Sequence, residues 1–186
     1  MALIADKTFQ LKDGRTLRLR NPKASDAAEV LNCLKIILGE THFTLTEPDE
    51  FNKTVEEEIK LFEELNTSPV DLVLLAEVNG KVVSFLDFQT KSKRRRIAHT
   101  GYFGISVLKE YWGNGIATKL LYTLIEHGRA NDKIELILLA MHSTNERARA
   151  LYERAGFAEC GRIPNEIKLA DGTYIDSIIM GLDVRK

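Results

Sequence analysis

Two glycines flank one asparagine in the segment EYWGNGIATKLLYTLIEH, residues 110–127, directly before a run with helical apolar spacing. Gly113 and Gly115 would each weaken a regular helix or strand by roughly 0.5–1 kcal/mol relative to alanine, so they indicate an unusual backbone conformation. The first N–H groups of the following helix lack internal partners and carry partial positive charge. Ala117 and Thr118 are small enough to let a ligand approach closely. The segment therefore predicts an anion site for a phosphate or a pyrophosphate.

A tight loop without a ligand is the alternative interpretation, because a GxG sequence alone is not specific. The segment does not fit either common nucleotide-binding motif. GNGIATKL departs from the GxxxxGK[ST] phosphate loop, and Thr118 stands where the last glycine of a dinucleotide-binding GxGxxG would fall. Nucleoside triphosphates and dinucleotides are therefore not the expected ligands.

Asn145 and Tyr152 form a second candidate group within STNERARALYERAGF. They are seven residues apart, which is about two helical turns, so they share one helix face and can serve one ligand. Two structural interpretations remain open. Ser143 and Glu146 have the spacing of a capping box, in which case this segment simply starts a helix, and Tyr152 has the character of a half-buried core aromatic.

The elements that must position these residues alternate between strand and helix patterns. The turn signals Asp13-Gly14 and Asn79-Gly80 each predict a hairpin. The predicted order is β, α, α, β, β, β, α, β, α, β, β, an α+β pattern with one central sheet. The elements are the opening strands, a helix from the N-cap Ser25 to a stop at Gly39, a helix capped by Thr54, the Asn79-Gly80 strands, strand 97–107, helix 115–130, strand 134–140, a helix ending at Gly156 and strands around Asp171-Gly172.

The unit of strand 97–107, helix 115–130 and strand 134–140 has one further implication. A helix that connects two neighbouring strands of one sheet makes them parallel, with a right-handed crossover. The glycine segment then lies at the carboxyl end of the first strand.

Composition and charge limit the class of protein. Hydrophobic residues make up 44% and charged residues 28% of the 186 residues, and the formal net charge is -1, so neither nucleic acid nor an anionic membrane is an expected partner. Cys33 and Cys160 belong to no CxxC pair, so no metal site or disulfide framework is expected. We expect one domain over residues 1–186 in a reducing cytoplasm, with no targeting or membrane segment.

The segments GISVLKEYWGNGIATKLLYTLIEHGRA and LLAMHSTNERARALYERAGFAECGRI together resemble the GCN5-related N-acetyltransferase (GNAT) superfamily. The resemblance covers roughly residues 16–183, and the predicted element order agrees with the family fold. Trp112 replaces the first residue of the family signature Q/R-x-x-G-x-G/A. This departure affects only a side-chain contact, because the family binds pyrophosphate chiefly through backbone N–H groups. The signature falls on Trp112, Gly113, Asn114, Gly115, Ile116 and Ala117.

The resemblance implies a GNAT-like α+β fold: a mixed, twisted central sheet of about seven strands, flanked by about four helices and splayed at the acetyl-CoA site. It implies acetyl-CoA as co-substrate, no metal, and direct attack of a primary amine on the thioester in a ternary complex. A homodimer is a further implication. The acceptor stays open among small amines, amino acids, polyamines and protein N-termini.

The resemblance also assigns roles to single residues. Asn145 would hydrogen-bond the pantetheine arm, and Tyr152 would protonate the departing thiolate. Backbone groups of the strand that carries Ile105 and Val107 would stabilise the oxyanion. The implied cofactor-binding residues are Ile105, Val107, Trp112, Gly113, Asn114, Gly115, Ile116, Ala117, Thr118 and Asn145.

The base that would deprotonate the amine is less well marked. The candidates are His99, Glu40, Tyr102 and His142. His99 is predicted on strand 97–107 at the parity of Phe103, although a single strand histidine is more often packed than catalytic. Glu40 is predicted in the loop after the first helix, where a solvated carboxylate is the alternative. No base is selected.

The basic run KSKRRR, residues 91–96, could suggest nucleic acid or cofactor phosphates. We predict a solvated hairpin tip instead, because a strand over 97–107 spans on the order of 30 Å and separates the run from the glycine segment. Two other functions stay open. One is a catalytically silent acyl-CoA-binding sensor or interaction protein, and the other is a nucleotide-binding regulator.

Overall fold

The computed structural model describes residues 3–92 and 94–185. These residues form eight strands and four α-helices, which confirms the α+β class and adds one strand to the expected count of about seven. The elements are β1 Lys7–Gln10, β2 Thr16–Arg20, α1 Ala27–Glu40, α2 Val55–Thr67, β3 Leu72–Val78, β4 Lys81–Thr90, β5 Thr100–Val107, α3 Ile116–Ala130, β6 Leu136–His142, α4 Glu146–Arg154, β7 Ala158–Lys168 and β8 Tyr174–Asp183.

The strands form one mixed sheet in the order β1-β2-β3-β4-β5-β6-β8-β7. The chain divides into two compact units. The first unit contains Met1–Gln89 and Gly104–Leu124, and the second contains Thr90–Phe103 and Ile125–Lys186. The boundary between the units therefore falls within β5 and within α3.

The first unit is built on the antiparallel strands β1 to β4. Asn79 and Gly80 connect β3 and β4 with φ angles of 53° and 78°, as a tight hairpin turn requires, so the predicted hairpin is confirmed. The residues of β3 from Leu72 to Ala76 are completely buried, which explains why this strand is apolar without alternation.

Helix α2 follows its sequence signals closely. The side chain of Thr54 accepts the N–H of Glu57, and the Glu57 carboxylate accepts the N–H of Thr54, so the predicted cap is a complete capping box.

Helix α1 departs from the prediction at both ends. Ser25 is not its N-cap, because it lies in a short 3₁₀ turn over Ala24–Asp26, and Asp26 precedes the first helical residue. Gly39 does not stop the helix, which continues to Glu40 and ends at the extended residue Thr41. A glycine near a helix end costs only about 1 kcal/mol, so packing along the rest of α1 can tolerate it.

The second unit contains the amino-terminal part of β5, which pairs with β6 in parallel as predicted. The start of β5 differs from the predicted strand 97–107. Residues 97–99 belong to a turn, because the N–H of Thr100 donates to the Ile97 carbonyl at 3.2 Å and the Thr100 carbonyl accepts the N–H of Lys91 at 2.8 Å. Strand β6 likewise begins at Leu136 rather than at residue 134.

Strands β7 and β8 form an antiparallel pair, and β7 lies at the edge of the sheet. Their register is interrupted between Ile163 and Ile167. Within this interruption Asn165 has a φ of 56°, and its N–H donates to Oδ1 of Asp176 at 3.0 Å. Among the described residues, none of the helices has the length and apolar character that crossing a membrane requires.

Candidate active site

The glycine segment lies in the first unit, between a 3₁₀ turn over Lys109–Tyr111 and the start of α3 at Ile116. Gly113 and Gly115 both have a φ of 83°. This left-handed conformation costs other residues roughly 1–2 kcal/mol, which explains why both positions are glycine. A Cβ atom at either position would meet no atom within 4 Å, so the backbone conformation and not crowding requires glycine.

The amino-terminal end of α3 presents unused hydrogen-bond donors. The Gly115 carbonyl accepts the N–H of Lys119 at 3.0 Å, which closes the first helical turn. The N–H groups of Ile116, Ala117 and Thr118 have no acceptor within residues 3–92 and 94–185. Three free donors and the positive end of the helix dipole together suit an anion.

Trp112 has a structural contact that the sequence did not indicate. Its indole Nε1–H donates to the carbonyl oxygen of Val107 at 2.8 Å, which ties the glycine segment to the end of β5. Nδ2 of Asn114 lies 3.4 Å from the Tyr111 carbonyl oxygen. The guanidinium of Arg15 lies 4.6 Å from the ring centroid of Tyr111. The segment is therefore held by contacts on both of its sides.

The carboxyl-terminal part of β5 carries Ile105 and Val107, both half-buried. Hydrogen bonds to β4 fasten it. The hydroxyl of Ser84 donates to the Ser106 carbonyl at 2.6 Å, and the N–H of Leu108 donates to the Val83 carbonyl at 3.0 Å.

Glu40 does not lie in a loop, as predicted, but is the last residue of α1. Its Oε2 accepts the N–H of Lys109 at 2.8 Å. The carboxylate thus holds the start of the 3₁₀ turn that leads into the glycine segment. This contact was not foreseeable from the sequence, because Glu40 and Lys109 are 69 residues apart.

Tyr152 lies in the second unit within an aromatic cluster. Its ring makes an edge contact with Phe103, with ring centroids 5.8 Å apart and an interplanar angle of 80°. Phe157 lies 6.0 Å from the Tyr152 ring and 5.6 Å from the Phe103 ring. Phe103 and Phe157 are 7% and 3% exposed, so Tyr152 rests on a buried apolar support.

The Tyr152 hydroxyl makes no hydrogen bond within the described part of the chain. Burial raises the pKa of Tyr152 to about 12. The group therefore stays protonated at neutral pH and can donate a proton or a hydrogen bond. The packing of the Tyr152 ring supports the structural interpretation as a core aromatic. Its free hydroxyl supports the chemical interpretation as a proton donor.

Asn145 is the N-cap of α4, and its Oδ1 accepts the N–H of Ala148 at 3.1 Å. The capping box expected from Ser143 and Glu146 is not formed, because the helix begins at Glu146 and Asn145 takes the capping position. The Nδ2 amide group of Asn145 has no acceptor within the described ranges, so it is available as a donor.

The predicted strand position of His99 is wrong. His99 precedes β5, and its carbonyl oxygen accepts the N–H groups of Glu135 and Leu136 at 2.9 and 3.2 Å. The backbone of His99 thus joins the start of β6. Tyr102 lies on β5 with the Lys91 ammonium 5.6 Å from its ring centroid, and His142 is buried at the end of β6.

The basic run is exposed at its three arginines, Arg94, Arg95 and Arg96. These side chains occupy the turn before β5, in agreement with the predicted solvated tip. Lys93 lies outside the described residues.

The sequence analysis missed one polar group in the first unit. Asp87 interrupts the apolar run of β4, Glu58 is buried in α2, and Lys53 precedes α2. Lys53 and Glu58 form an ion pair, and both charges act on Asp87. The sequence feature that could have pointed to this group is the single acidic residue between Leu86 and Phe88. Strand alternation alone, however, also allows a carboxylate at that position to face solvent.

The model of the acetyltransferase (GNAT) family matches residues 39–157, which is more than half of the chain and includes the glycine segment and Tyr152. This chain belongs to the GNAT family. Acetyltransferase is accordingly its enzyme class, and the resemblance that the two motifs indicated is confirmed.

Two known proteins are similar to this chain over most of its length. An acetyltransferase of the GNAT family from Streptococcus pneumoniae has a TM-score of 0.86 and 30% identity, with 90% of this chain and 99% of that chain covered. The "Putative ribosomal N-acetyltransferase YdaF" of Bacillus subtilis (strain 168) is 26% identical over 176 residues, 92% of this chain and 89% of its own length.

One structure of the same GNAT fold contains a ligand. The structure of yncA from Salmonella typhimurium was solved with its cofactor acetyl-CoA. Its TM-score is 0.80 at 19% identity, with 91% of this chain and 95% of that chain covered.

Proposed function

We propose that residues 1–186 form a single cytoplasmic N-acetyltransferase domain that moves an acetyl group from acetyl-CoA to a primary amine. The observation that carries this proposal is the pair of left-handed glycines before three unpaired N–H groups at the start of α3. This arrangement suits the pyrophosphate of coenzyme A, and the family membership supports acetyl-CoA as the donor.

The glycine segment binds through its backbone in this proposal. Gly113 and Gly115 leave the approach free of side chains, and Ile116, Ala117 and Thr118 donate their N–H groups. Trp112 replaces the usual polar residue of the signature and serves to hold the segment through Val107 instead of contacting phosphate.

The reaction is a direct transfer. The amine nitrogen attacks the thioester carbonyl, the C–N bond forms, negative charge passes to the carbonyl oxygen, and the C–S bond then breaks. Backbone donors of the strand carrying Ile105 and Val107 stabilise the oxyanion, and Asn145 hydrogen-bonds the pantetheine arm. Tyr152 gives its proton to the thiolate, and the proton that the attacking nitrogen loses after the C–N bond forms returns to the Tyr152 phenolate, so the products are the amide and the free thiol of coenzyme A.

The supporting observation for Tyr152 is its free hydroxyl on a rigid apolar support. A phenol with its pKa raised to about 12 is protonated at neutral pH, as a general acid must be. Its ring is also held in place without the help of the hydroxyl, so the hydroxyl is available for chemistry.

A combined binding and turnover experiment tests this function. Acetyl-CoA binding is measured by calorimetry, and thiol release is followed with a panel of amines, with acetylated products identified by mass spectrometry. We expect binding and amine-dependent thiol release. Binding without release for any amine would identify the silent acyl-CoA-binding protein, and absence of binding would refute the proposal as a whole.

A further inference from the structure

Asp87 on β4 has one satisfied and one unsatisfied carboxylate oxygen. Oδ2 accepts Nε2–H of Gln89 at 3.0 Å. Oδ1 has no hydrogen-bond partner among the described residues, and it lies 3.4 Å from the point where a Cβ atom on Gly104 would stand. Gly104 on β5 is exposed. Because it has no side chain, the approach to Oδ1 from that position is uncovered.

Glu58 is a second feature of this group, because its charge acts on Asp87. This residue is only 1% exposed, and neither of its carboxylate oxygens has a hydrogen-bond partner in the described chain. Lys53 forms an ion pair with Oε2, and Oε1 has no hydrogen-bond partner among residues 3–92 and 94–185. A buried carboxylate oxygen without a donor is costly, so this place is incomplete without a further polar or cationic group.

The charges of the group formed by Lys53, Glu58 and Asp87 do not cancel. Lys53 contributes one positive charge, and Glu58 and Asp87 each contribute one negative charge when ionised. Burial raises the pKa of Asp87, the hydrogen bond from Gln89 and the charge of Lys53 oppose this rise, and the charge of Glu58 adds to it. A bound cation would stabilise the ionised form of Asp87 and neutralise the group.

We propose that Asp87, together with the charges of the Lys53–Glu58 ion pair, binds the ammonium group of the acceptor and selects amines without a neighbouring carboxylate. This inference rests on the proposed transferase function and names its substrate class, which includes alkylamines, polyamines and amides of amino acids. Free α-amino acids are excluded as good substrates.

The selection follows from electrostatics. The ammonium of an alkylamine or amino-acid amide brings one positive charge to a group whose net charge is minus one when both of its carboxylates are ionised. A free α-amino acid brings a carboxylate as well, and Lys53, whose positive charge acts on Asp87, is already paired with Glu58. Repulsion between like charges at a partly desolvated place is costly, so the free amino acid binds less well.

The experiment compares matched acceptors that differ in one group. L-Alaninamide and L-alanine form one pair, and 1-aminopropane and β-alanine form a second pair of equal length. kcat/KM is determined for each at saturating acetyl-CoA and expressed per concentration of unprotonated amine. We expect the uncharged member of each pair to be preferred by about tenfold or more.

Variants separate recognition from intrinsic reactivity. Asp87→Asn removes the charge with little change in volume and should lower the preference ratio by about tenfold, because both members of a pair then meet the same neutral side chain. Gly104→Ala keeps the charge but covers Oδ1 with a methyl group, so it should raise the KM of the amine. Glu64→Gln, an exposed change on α2, is the control and should leave the ratio unchanged.

The outcomes distinguish this subsite from the transferase function itself. Equal use of both members of each pair by the parent protein, or an unchanged ratio in Asp87→Asn, would overturn the subsite while leaving the transferase function intact. Absence of transfer to every amine would refute the transferase function and the subsite together. The acetyl-CoA dissociation constant of each variant, measured separately, shows whether the variant is folded.

Discussion

The carbonyl oxygen of Tyr152 accepts the N–H of Phe157 at 3.0 Å, and the rings of these two residues lie 6.0 Å apart. The N–H of Gly156 donates to the Glu153 carbonyl at 3.0 Å, so α4 ends in a Schellman motif with its usual apolar contact. The same turn therefore fixes the backbone and the ring of Tyr152.

The Tyr152→Phe variant should bind acetyl-CoA normally and turn over slowly. The ring keeps its contacts, so binding and the melting temperature should change little, whereas the loss of a general acid typically costs about 10²–10⁴-fold in rate. The lower end is expected, because a thiolate is a good leaving group. Steady-state kinetics at saturating acetyl-CoA, with chemistry rate-limiting, would measure the kcat of this variant. A kcat within about threefold of the parent value would show that Tyr152 is a packing residue.

Gly115→Asp should weaken acetyl-CoA binding by about tenfold or more, equivalent to about 1.4 kcal/mol. The change adds a negative charge at the positive end of α3 and places a side chain on a left-handed backbone. Gly172→Asp is a matched control, because Gly172 has a φ of 88° and equally open surroundings in the turn between β7 and β8. Equal affinity of both folded variants, measured by calorimetry, would refute the anion site.

The kinetics of Glu40→Ala and Glu40→Gln should show whether Glu40 is a structural anchor for Lys109 or a catalytic base. Glutamine retains an oxygen that can accept the Lys109 N–H, whereas alanine loses this bond, worth about 0.5–1.5 kcal/mol. An anchor predicts a raised KM for acetyl-CoA in Glu40→Ala and near-normal kinetics in Glu40→Gln. A large loss of kcat in Glu40→Gln at unchanged KM would instead identify Glu40 as a base.

The two cysteines should differ strongly in reactivity. Cys33 is 3% exposed, and burial, reinforced by the charge of Glu29, raises the pKa of its thiol to about 12, whereas Cys160 is exposed. A thiol reagent at pH 8 should therefore modify one cysteine in the native protein and two after unfolding. Peptide mapping should identify Cys160 as the native site. Rapid native modification of Cys33 would contradict its burial in α1.

Replacing Arg94, Arg95 and Arg96 together with serine should leave the coenzyme A dissociation constant within about threefold, since salt screens charges more than about 10 Å away. The arginines lie in the exposed turn before β5, and the proposed anion site follows the other end of that strand. Titrations at two salt concentrations provide the control. A large loss at both would place the arginines in the cofactor site.

Local signals predicted much of the fold. Thr54 and Glu57 mark the start of α2, and Asn79-Gly80 marks a hairpin, because these features depend on residues close in sequence. The glycine segment was recognisable because its left-handed conformations restrict the residue type.

Long-range contacts account for most of what the sequence did not predict. Gly39 predicts a helix stop, but α1 continues to Glu40, whose carboxylate accepts the N–H of Lys109. The sequence pattern predicts His99 within a strand, but the turn that precedes β5 ends only at Thr100. The sequence analysis did not single out Asp87, because the charges that act on it come from Lys53 and Glu58, which are far away in the sequence.

The interruption in β7 has a consequence for the behaviour of the chain at high concentration. A long, regular edge strand offers its backbone to other chains and can start intermolecular sheet growth. Pro164 has no N–H to offer, and the N–H of Asn165 is already bonded to Asp176. A neighbouring chain that adds to this edge meets two missing donors in succession, so β7 is a poor template for aggregation although nearly all of it is exposed.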